Sequence, residues 1–347
     1  MTVKTKYYLL RSYLNIFLKD IRNSFPLPIH QKCLLWQRGF LAEKYILYNL
    51  KKNSYQNYLS DVHASMARWV NDPYTDILSN KFLFAKIAGD YIKVPKTYGL
   101  ILNGELLATS LDTGLHTWND FFQYCHKSPI ILKPVAGGGG DGIMLVEEKN
   151  GTIFINGKMI KKTDLIAQLE QLNNYLITEY IKQGTFPRSL NPTTTNTMRI
   201  VTLIDKDTKK PFIARAVQRI GNKTSAPHDN FTKGGLSSMI DFKTGNLSSA
   251  ATHPHTPSLK WYESHPDTGA PIKDCSVPKW NEVKEQLLQA AGHLSYLKCI
   301  GWDILLTDDG ICAIEGNHHP DPDVLQCHGG LLLDNRTLQF YKHNDIV

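Results

Sequence analysis

Apolar residues recur at helical spacing near the start of the chain. Tyr7, Leu10, Tyr13, Leu14, Phe17 and Leu18 form one stripe, while Lys6, Arg11 and Lys19 punctuate the remaining face. Such a helix either packs its stripe on the body of the protein or makes weak contact with a membrane surface. Lys4 and Lys6 followed by the apolar run 7–10 look like the start of a leader. Arg11 interrupts the run and no small-residue cleavage site follows, so the segment is read as mature sequence. Pro26 and Pro28 break the chain, a second helical stretch is expected at 34–52, and residues 3–70 as a whole read as helical.

The texture changes at Asp72-Pro73, which marks a loop. A short helix at 79–90 and an extended segment from Val94-Pro95 through Leu102 follow. IILKPV at 130–135 is a strand, and a hairpin spans 143–156 around Asn150-Gly151, a turn dipeptide with a strong preference for tight hairpins. A helix at 163–173 leads to a strand at 176–181. Strands at 198–205 and 212–219 are joined by a polar turn, and 221–278 reads as long loops with a strand or two. Asn281 is placed to cap a helix carrying Val283, Leu287, Ala290, Leu294 and Leu297 on one stripe. Two closing strands, 300–307 and 311–316, precede a loop rich in His and Asp.

With 347 residues the chain has room for two or three domains, and its 42% hydrophobic and 20% charged residues are those of a folded soluble protein. No run approaches the roughly 18 apolar residues that span a bilayer. The six cysteines include no C-x-x-C pair, which suits reduced thiols in the cytoplasm and argues against a disulfide scaffold or zinc ribbon. A net charge of +7 favours an anionic ligand such as a nucleotide, or loose contact with acidic lipid. A mildly basic solvated surface would give the same number. No nucleic-acid motif is present, so nucleic acid is not an expected partner.

Two constellations carry chemistry. Gly137, Gly138, Gly139 and Gly140, then Asp141 and Gly142, follow the strand at 130–135 directly. Glycine lets backbone N–H groups approach phosphate oxygens without a Cβ in the way. No G-K-[ST] follows, and the next residues read as strand, so this is neither a P-loop nor a dinucleotide fingerprint. It reads as a cover over a nucleotide, or as a mobile linker. Lys133 favours the nucleotide, because a lysine inside an apolar strand is costly unless it meets an anion. The second constellation is Asp303, Glu315 and Asn317. A three-residue hairpin loop at Asp308-Asp309-Gly310 places Asp303 opposite Glu315, with Asn317 on the same face opposite Gly301. Facing carboxylates need a cation between them, and two carboxylates with an amide suit Mg²⁺. The alternatives are two solvated acids at a sheet edge, or a two-residue turn that would put the acids on opposite faces.

The chain resembles the ATP-grasp superfamily, specifically its sugar-transfer-associated branch, expected to act in cell-surface polysaccharide synthesis. The likeness runs from about residue 78 to 326. It is carried by NKFLFAK at 80–86, LKPVAGGGGDGI at 132–143, LITEYI at 176–181 and LNPTTTNTMRIVT at 190–202. QRIGN at 218–222, DNFTKGGL at 229–236, GWDI at 301–304 and IEGN at 314–317 complete it. The resemblance implies an α+β ATP-grasp fold of two lobes with nucleotide between them. Residues 1–72 would be a helical N-terminal region and 73–125 a linker or subdomain carrying the first nucleotide lysine. Residues 126–182 would form the small lobe, and 183–347 the large lobe with the Mg²⁺ site and acceptor pocket. Lys81, with Lys86 as alternative, would bind nucleotide; Lys133 would contact the α-phosphate and adenine edge. Residues 137–142 would close over the β- and γ-phosphates, and Glu179 with the Tyr180 and Ile181 backbone would recognise adenine. Asp303, Glu315 and Asn317 would hold two Mg²⁺ ions. The segment KQGTFPRSL lacks the acid that often binds ribose in this superfamily.

Arg199 and Arg219 suit a phosphate, acyl-phosphate or carboxylate, or an ion pair within the sheet. His228 is a candidate base for an incoming amine, or a loop histidine. The segment 318–328, with His318, His319, Asp321, Asp323, Cys327 and His328, is read as a polar wall of the acceptor pocket, with zinc as the alternative. The expected activity is an ATP- and Mg²⁺-dependent ligation of a small-molecule carboxylate to an amine, either of them sugar-linked, through an acyl-phosphate. A sugar kinase with the same apparatus and a non-catalytic nucleotide-binding scaffold are the competing readings.

Overall fold

The computed structural model describes residues 3–22, 25–108, 115–254 and 259–347. The chain divides into two units, Met1–Thr75 with Gln183–Ile311 and Asn317–Val347, and Asp76–Lys182 with Cys312–Gly316. The N-terminal part of the first unit is helical, as its spacing requires: α1 (Val3–Arg22), α2 (Ile29–Gln37), α3 (Lys44–Leu47) and α4 (Asp61–Ala67). The single helix expected at 34–52 is instead two, because the chain turns at Gly39 with φ +79°. α1 does not pack its apolar stripe on the body of the protein. Its apolar stripe faces outward, with Leu10 63% and Leu14 55% exposed, while Ser12, Ile16 and Asp20 form the buried side. The side chains of Lys4 and Lys6 lie outside the described residues.

Polar contacts set that rotation. Asp20 accepts from the Trp36 indole at 2.6 Å and from the Ala42 amide at 3.2 Å, and the Ser12 and Ser65 hydroxyls are 3.1 Å apart. A buried carboxylate without such partners would cost several kcal/mol, on the order of its desolvation.

The second unit follows with α5 (Thr75–Ser79), α6 (Lys81–Ala88), β1 (Thr97–Leu102), β2 (Glu105–Ala108) and α7 (Trp118–Lys127). It continues through β3 (Ile130–Pro134), β4 (Met144–Lys149), β5 (Thr152–Ile155), β6 (Lys158–Ile160), α8 (Lys162–Leu169) and β7 (Tyr175–Glu179). The strands form one antiparallel sheet in the order β2-β1-β7-β3-β4-β5-β6. Ile101, Phe121, Ile130, Leu132, Leu165 and Ile177 pack in its core. The β4–β5 turn is the expected one, with φ +50° at Asn150 and +75° at Gly151. The strand expected at 176–181 ends at Glu179, so Tyr180 and Ile181 lie beyond it.

The chain then returns to the first unit. Its elements are α9 (Thr185–Leu190), β8 (Met198–Ile204), β9 (Pro211–Ile220), β10 (Leu236–Ile240), β11 (Leu247–Thr252), β12 (Trp261–Tyr262), α10 (Trp280–His293), β13 (Cys299–Thr307), β14 (Gly310–Asn317), α11 (Pro322–Gln326) and α12 (Asn335–His343). Its sheet runs β12-β11-β10-β9-β8-β13-β14, and residues 312–316 of β14 count with the second unit. Among the described residues of 221–278 there are three strands, not one or two. α10 starts one residue before the expected cap: Lys279, at φ +53°, holds the N-cap position and Asn281 falls in the first turn. Only Asp308 and Asp309 separate β13 from β14, one residue fewer than expected, with Gly310 at φ +147° opening the strand. Gly301 nonetheless stands beside Asn317, since a Cβ on it would lie 3.3 Å from the Cβ of Asn317. The fold is α+β with two antiparallel sheets. Among the described residues no helix is long and apolar enough to cross a membrane.

Candidate active site

In the second unit two lysines converge on the start of the glycine loop. Asn80 caps α6 by accepting from the amides of Phe82 and Leu83 at 3.0 and 3.1 Å. The next residue, Lys81, donates its backbone N–H to Val135 O at 2.9 Å and its ammonium to Gly137 O at 2.6 Å. The same ammonium is 3.3 Å from a Glu315 carboxylate oxygen. Lys86 is exposed and lies over the Phe82 ring, outside this group. Lys133, in β3, is only 5% exposed and donates to Ile314 O at 3.3 Å. Burial lowers its pKa to about 8; Glu315 opposes the shift and Lys81 adds to it. Two buried ammonium groups beside one carboxylate leave positive charge in surplus, which fits a bound phosphate.

In the loop that follows, four positions, Gly137, Gly139, Gly140 and Gly142, take left-handed backbone conformations that favour glycine. Gly137 and Gly142 sit at φ +108° and +75°. At Gly142 a Cβ would also meet the Tyr175 hydroxyl at 2.6 Å, whereas at Gly137 and Gly138 it would meet nothing within 4 Å. The backbone of Gly137 and Gly138 is therefore open to a ligand, and Gly139, Gly140 and Asp141 continue the turn. At the end of β7, Glu179 accepts from the Lys96 amide at 3.2 Å and donates its own amide to Lys96 O at 2.9 Å, followed by half-buried Tyr180 and Ile181.

In the first unit the centre is Asp303. β8 and β13 pair so that Arg199 stands directly opposite it. Arg199 grips both carboxylate oxygens, Nε to Oδ1 at 2.5 Å and Nη2 to Oδ2 at 3.2 Å. Arg219, on β9, adds Nη2 to Oδ2 at 2.9 Å and donates to the Thr197 hydroxyl. Asp229 lies 3.4 Å from Arg219 and accepts from both the amide and the hydroxyl of Thr197 at 2.7 Å. Both arginines are therefore ion-paired within the sheet, with Asp303 as the shared acid, which fixes the orientation of their guanidinium groups. Asn317 joins this group: its amide nitrogen is 3.3 Å from Gly301 O and 3.5 Å from Asp303 Oδ1. Asn317 and Asp303 are thus neighbouring side chains with hard oxygen donors, the donor type that Mg²⁺ takes, and in this arrangement the two guanidinium groups supply the positive charge at Asp303. His228 is half-buried beside Asp229, in a turn where its carbonyl accepts from the Ser225 hydroxyl at 2.8 Å.

The polar motif ahead of β8 is structural. The buried Asn196 amide donates to Pro187 O and Asn191 O and accepts from the Thr194 hydroxyl and the Gly221 amide, using every hydrogen-bonding position it has.

The segment 318–328 is locked as well. His319 bonds Ala64 O at 3.0 Å and His328 bonds the Ser237 hydroxyl at 3.1 Å; burial lowers their pKa values to about 4 and about 3. Asp321 caps α11, and Asp323 reaches a group that sequence reasoning missed. Lys44, 2% exposed, bonds Asp323 at 2.5 Å and Glu43 at 2.9 Å and lies 3.4 Å from Asp61. Tyr48 donates to Asp323 at 2.7 Å. Metal-capable atoms of Glu43, His253 and Asp323 all lie within 4.8 Å of one another, but the Lys44 ammonium already supplies a cation to Glu43 and Asp323. The available signal was the Glu43-Lys44 pair set among Leu41, Ala42, Tyr45, Ile46 and Leu47, weaker than the lone lysine in the strand at 130–135.

A glycine loop fed by a strand with a buried lysine, and a second sheet with an acid gripped by arginines, fit the ATP-grasp class, and a family model of that class matches residues 63–342. The model describes sugar-transfer associated ATP-grasp proteins, and the chain belongs to that family. No curated protein matches the sequence. Among solved structures, the chain is similar to biotin carboxylase from Campylobacter jejuni at 12% identity, covering 82% of this chain and 48% of that one, with a TM-score of 0.45. It is similar to D-alanine–D-alanine ligase from Bacillus anthracis at 12% identity, covering 78% and 69%, with a TM-score of 0.39. For VanG D-Ala:D-Ser ligase from Enterococcus faecalis the identity is 16%, the coverage 83% and 64%, and the TM-score 0.39. The chain spans roughly half to two thirds of the length of these proteins.

Proposed function

We propose that this protein joins a small-molecule carboxylate to an amine at the expense of ATP, in the making of a cell-surface saccharide or a related metabolite. The observation that carries the reading is the buried pair Lys81 and Lys133 beside an open glycine backbone, in a member of the ATP-grasp family. Lys81 and Lys133 bind phosphate oxygens, residues 137–142 cover them, and Glu179, Tyr180 and Ile181 receive the adenine. Asp303, Glu315 and Asn317 would hold Mg²⁺, two ions in all, which would supply positive charge to the phosphates.

The carboxylate oxygen attacks the γ-phosphorus and ADP leaves, giving an acyl-phosphate. The amine nitrogen then attacks the acyl carbon, phosphate leaves with the C–O electron pair, and the nitrogen loses a proton, for which His228 is the candidate acceptor. Arg199 and Arg219, oriented by Asp303, present guanidinium edges to the substrate carboxylate or the transferring group. Closure of the glycine loop keeps water from the acyl-phosphate.

The test is turnover of Mg-ATP with pools of uronic and amino acids in hydroxylamine, which converts acyl-phosphates to hydroxamates. Hydroxamate with ADP and phosphate is the expected result and identifies the acid. A phosphorylated sugar without hydroxamate would replace this reading with that of a kinase.

A further inference from the structure

α1 is fastened to the first unit by its polar side. Ser12 and Asp20 point inward and are held by Ser65, Trp36 and Ala42, and Tyr8 stacks on Trp69 with ring centroids 5.0 Å apart. Rolling the helix to hide its apolar side would break these bonds. Leu10, Tyr13, Leu14, Phe17, Leu18 and Ile21 are consequently 37% to 63% exposed. At 3.6 residues per turn they fill one continuous arc of about 140° around the helix. The adjoining arc carries Arg11, Asn15, Lys19 and Arg22, all exposed. The one acid of α1, Asp20, is buried, so every charged side chain described on the helix's exposed surface is basic.

Three arcs in this order, anchored, apolar and basic, match a helix lying in a lipid–water interface. The apolar arc would enter the boundary of headgroups and acyl chains while the basic arc meets phosphates. Tyr13, at the edge between the anchored and apolar arcs, presents an apolar ring with a polar tip, as suits that depth. A second copy of the chain packed antiparallel fits less well, because its own Arg11, Lys19 and Arg22 would approach the same basic arc. The net charge of +7 acts in the same direction.

We propose that α1 is an interfacial anchor that docks this protein on an anionic bilayer surface. The inference rests on α1 alone and is independent of the reaction proposed above.

The experiment is flotation of the full chain with vesicles of phosphatidylcholine alone, or with one third phosphatidylglycerol, at low and high salt. Wild type should float with the anionic vesicles at least ~10-fold more than with the neutral ones, and lose most of that advantage at high salt. Leu14→Glu with Leu18→Glu should lower binding at least ~10-fold with an unchanged melting curve, since both residues are exposed. Arg11→Glu with Lys19→Glu should remove the preference for anionic lipid. Wild-type protein that does not float with anionic vesicles overturns the proposal, whatever the variants do. Full binding by the Leu14→Glu, Leu18→Glu protein overturns it too. So does a wild-type dimer in sedimentation that this variant converts to monomer without any flotation, which would assign the face to a second copy.

Discussion

Asp303 holds two guanidinium groups in place and is one of the metal ligands proposed above, so its substitution should act on stability and on turnover together. Asp303→Asn removes the carboxylate that both Arg199 and Arg219 grip, and breaking a buried pair in this way costs about 3–5 kcal/mol. Denaturant unfolding should show that loss, and ATP turnover at a temperature where the variant is folded should fall by about 10²–10³. An unaltered rate in folded Asp303→Asn protein would remove it from the active site. Lys133 makes a pH prediction. Its folded pKa, near 8, lies below the ordinary 10.5, so carrying the proton costs the fold stability below pH 8, and the cost is relieved between about 8 and 10.5. Phosphate binding has the opposite sign because it needs the proton. ATP affinity, measured by titration calorimetry, should decline as the pH rises through about 8, and Lys133→Arg should flatten the decline because arginine stays charged. An identical decline in the variant would assign the titration to another group.

At the scale of elements, the glycine loop separates conformational need from access. Gly142→Ala forces a side chain into φ +75° and against Tyr175, and should lower stability by about 1–3 kcal/mol. Gly138→Ala meets no atom within 4 Å and should change stability by less than about 0.5 kcal/mol, so any loss of turnover there reports contact with the nucleotide. α3 and α11 are joined by Lys44 and Asp323. Lys44→Met strands Asp323, Asp61 and Glu43 without their cation and should cost about 3–5 kcal/mol near neutral pH. Burial raises the Asp61 pKa to about 6 against Lys44's opposition. In its folded environment Asp61 therefore favours the proton, a contribution to stability that is full below about pH 4 and lost as the pH rises through about 6. The deficit of Lys44→Met should accordingly shrink in acid, as chemical unfolding at two pH values would show.

For the whole molecule, saturating Mg-ATP at a hundredfold excess over its dissociation constant should stabilise the fold by about 2.7 kcal/mol, visible as a rise in Tm. No rise would count against nucleotide binding altogether. What could be read in advance was local. Short apolar runs marked β3, β8 and β13, Asn150-Gly151 marked the β4–β5 hairpin, and a lysine in an apolar strand before four glycines marked an anion site. Each of these signals lies within a few residues of what it describes. The tertiary structure decided the partners. Arg199 and Asp303 are 104 positions apart, and Lys44 and Asp323 are 279 apart. Which acid takes which cation depends on sheet register and packing, and no local pattern encodes either. The rotation of α1 belongs to the same kind. Its 3.6-residue periodicity is written in the sequence, but which side meets the body depends on partners distant in the chain: Asp20 bonds Trp36 and Ala42, Ser12 and Ile16 are buried with it, and the apolar stripe is left outside.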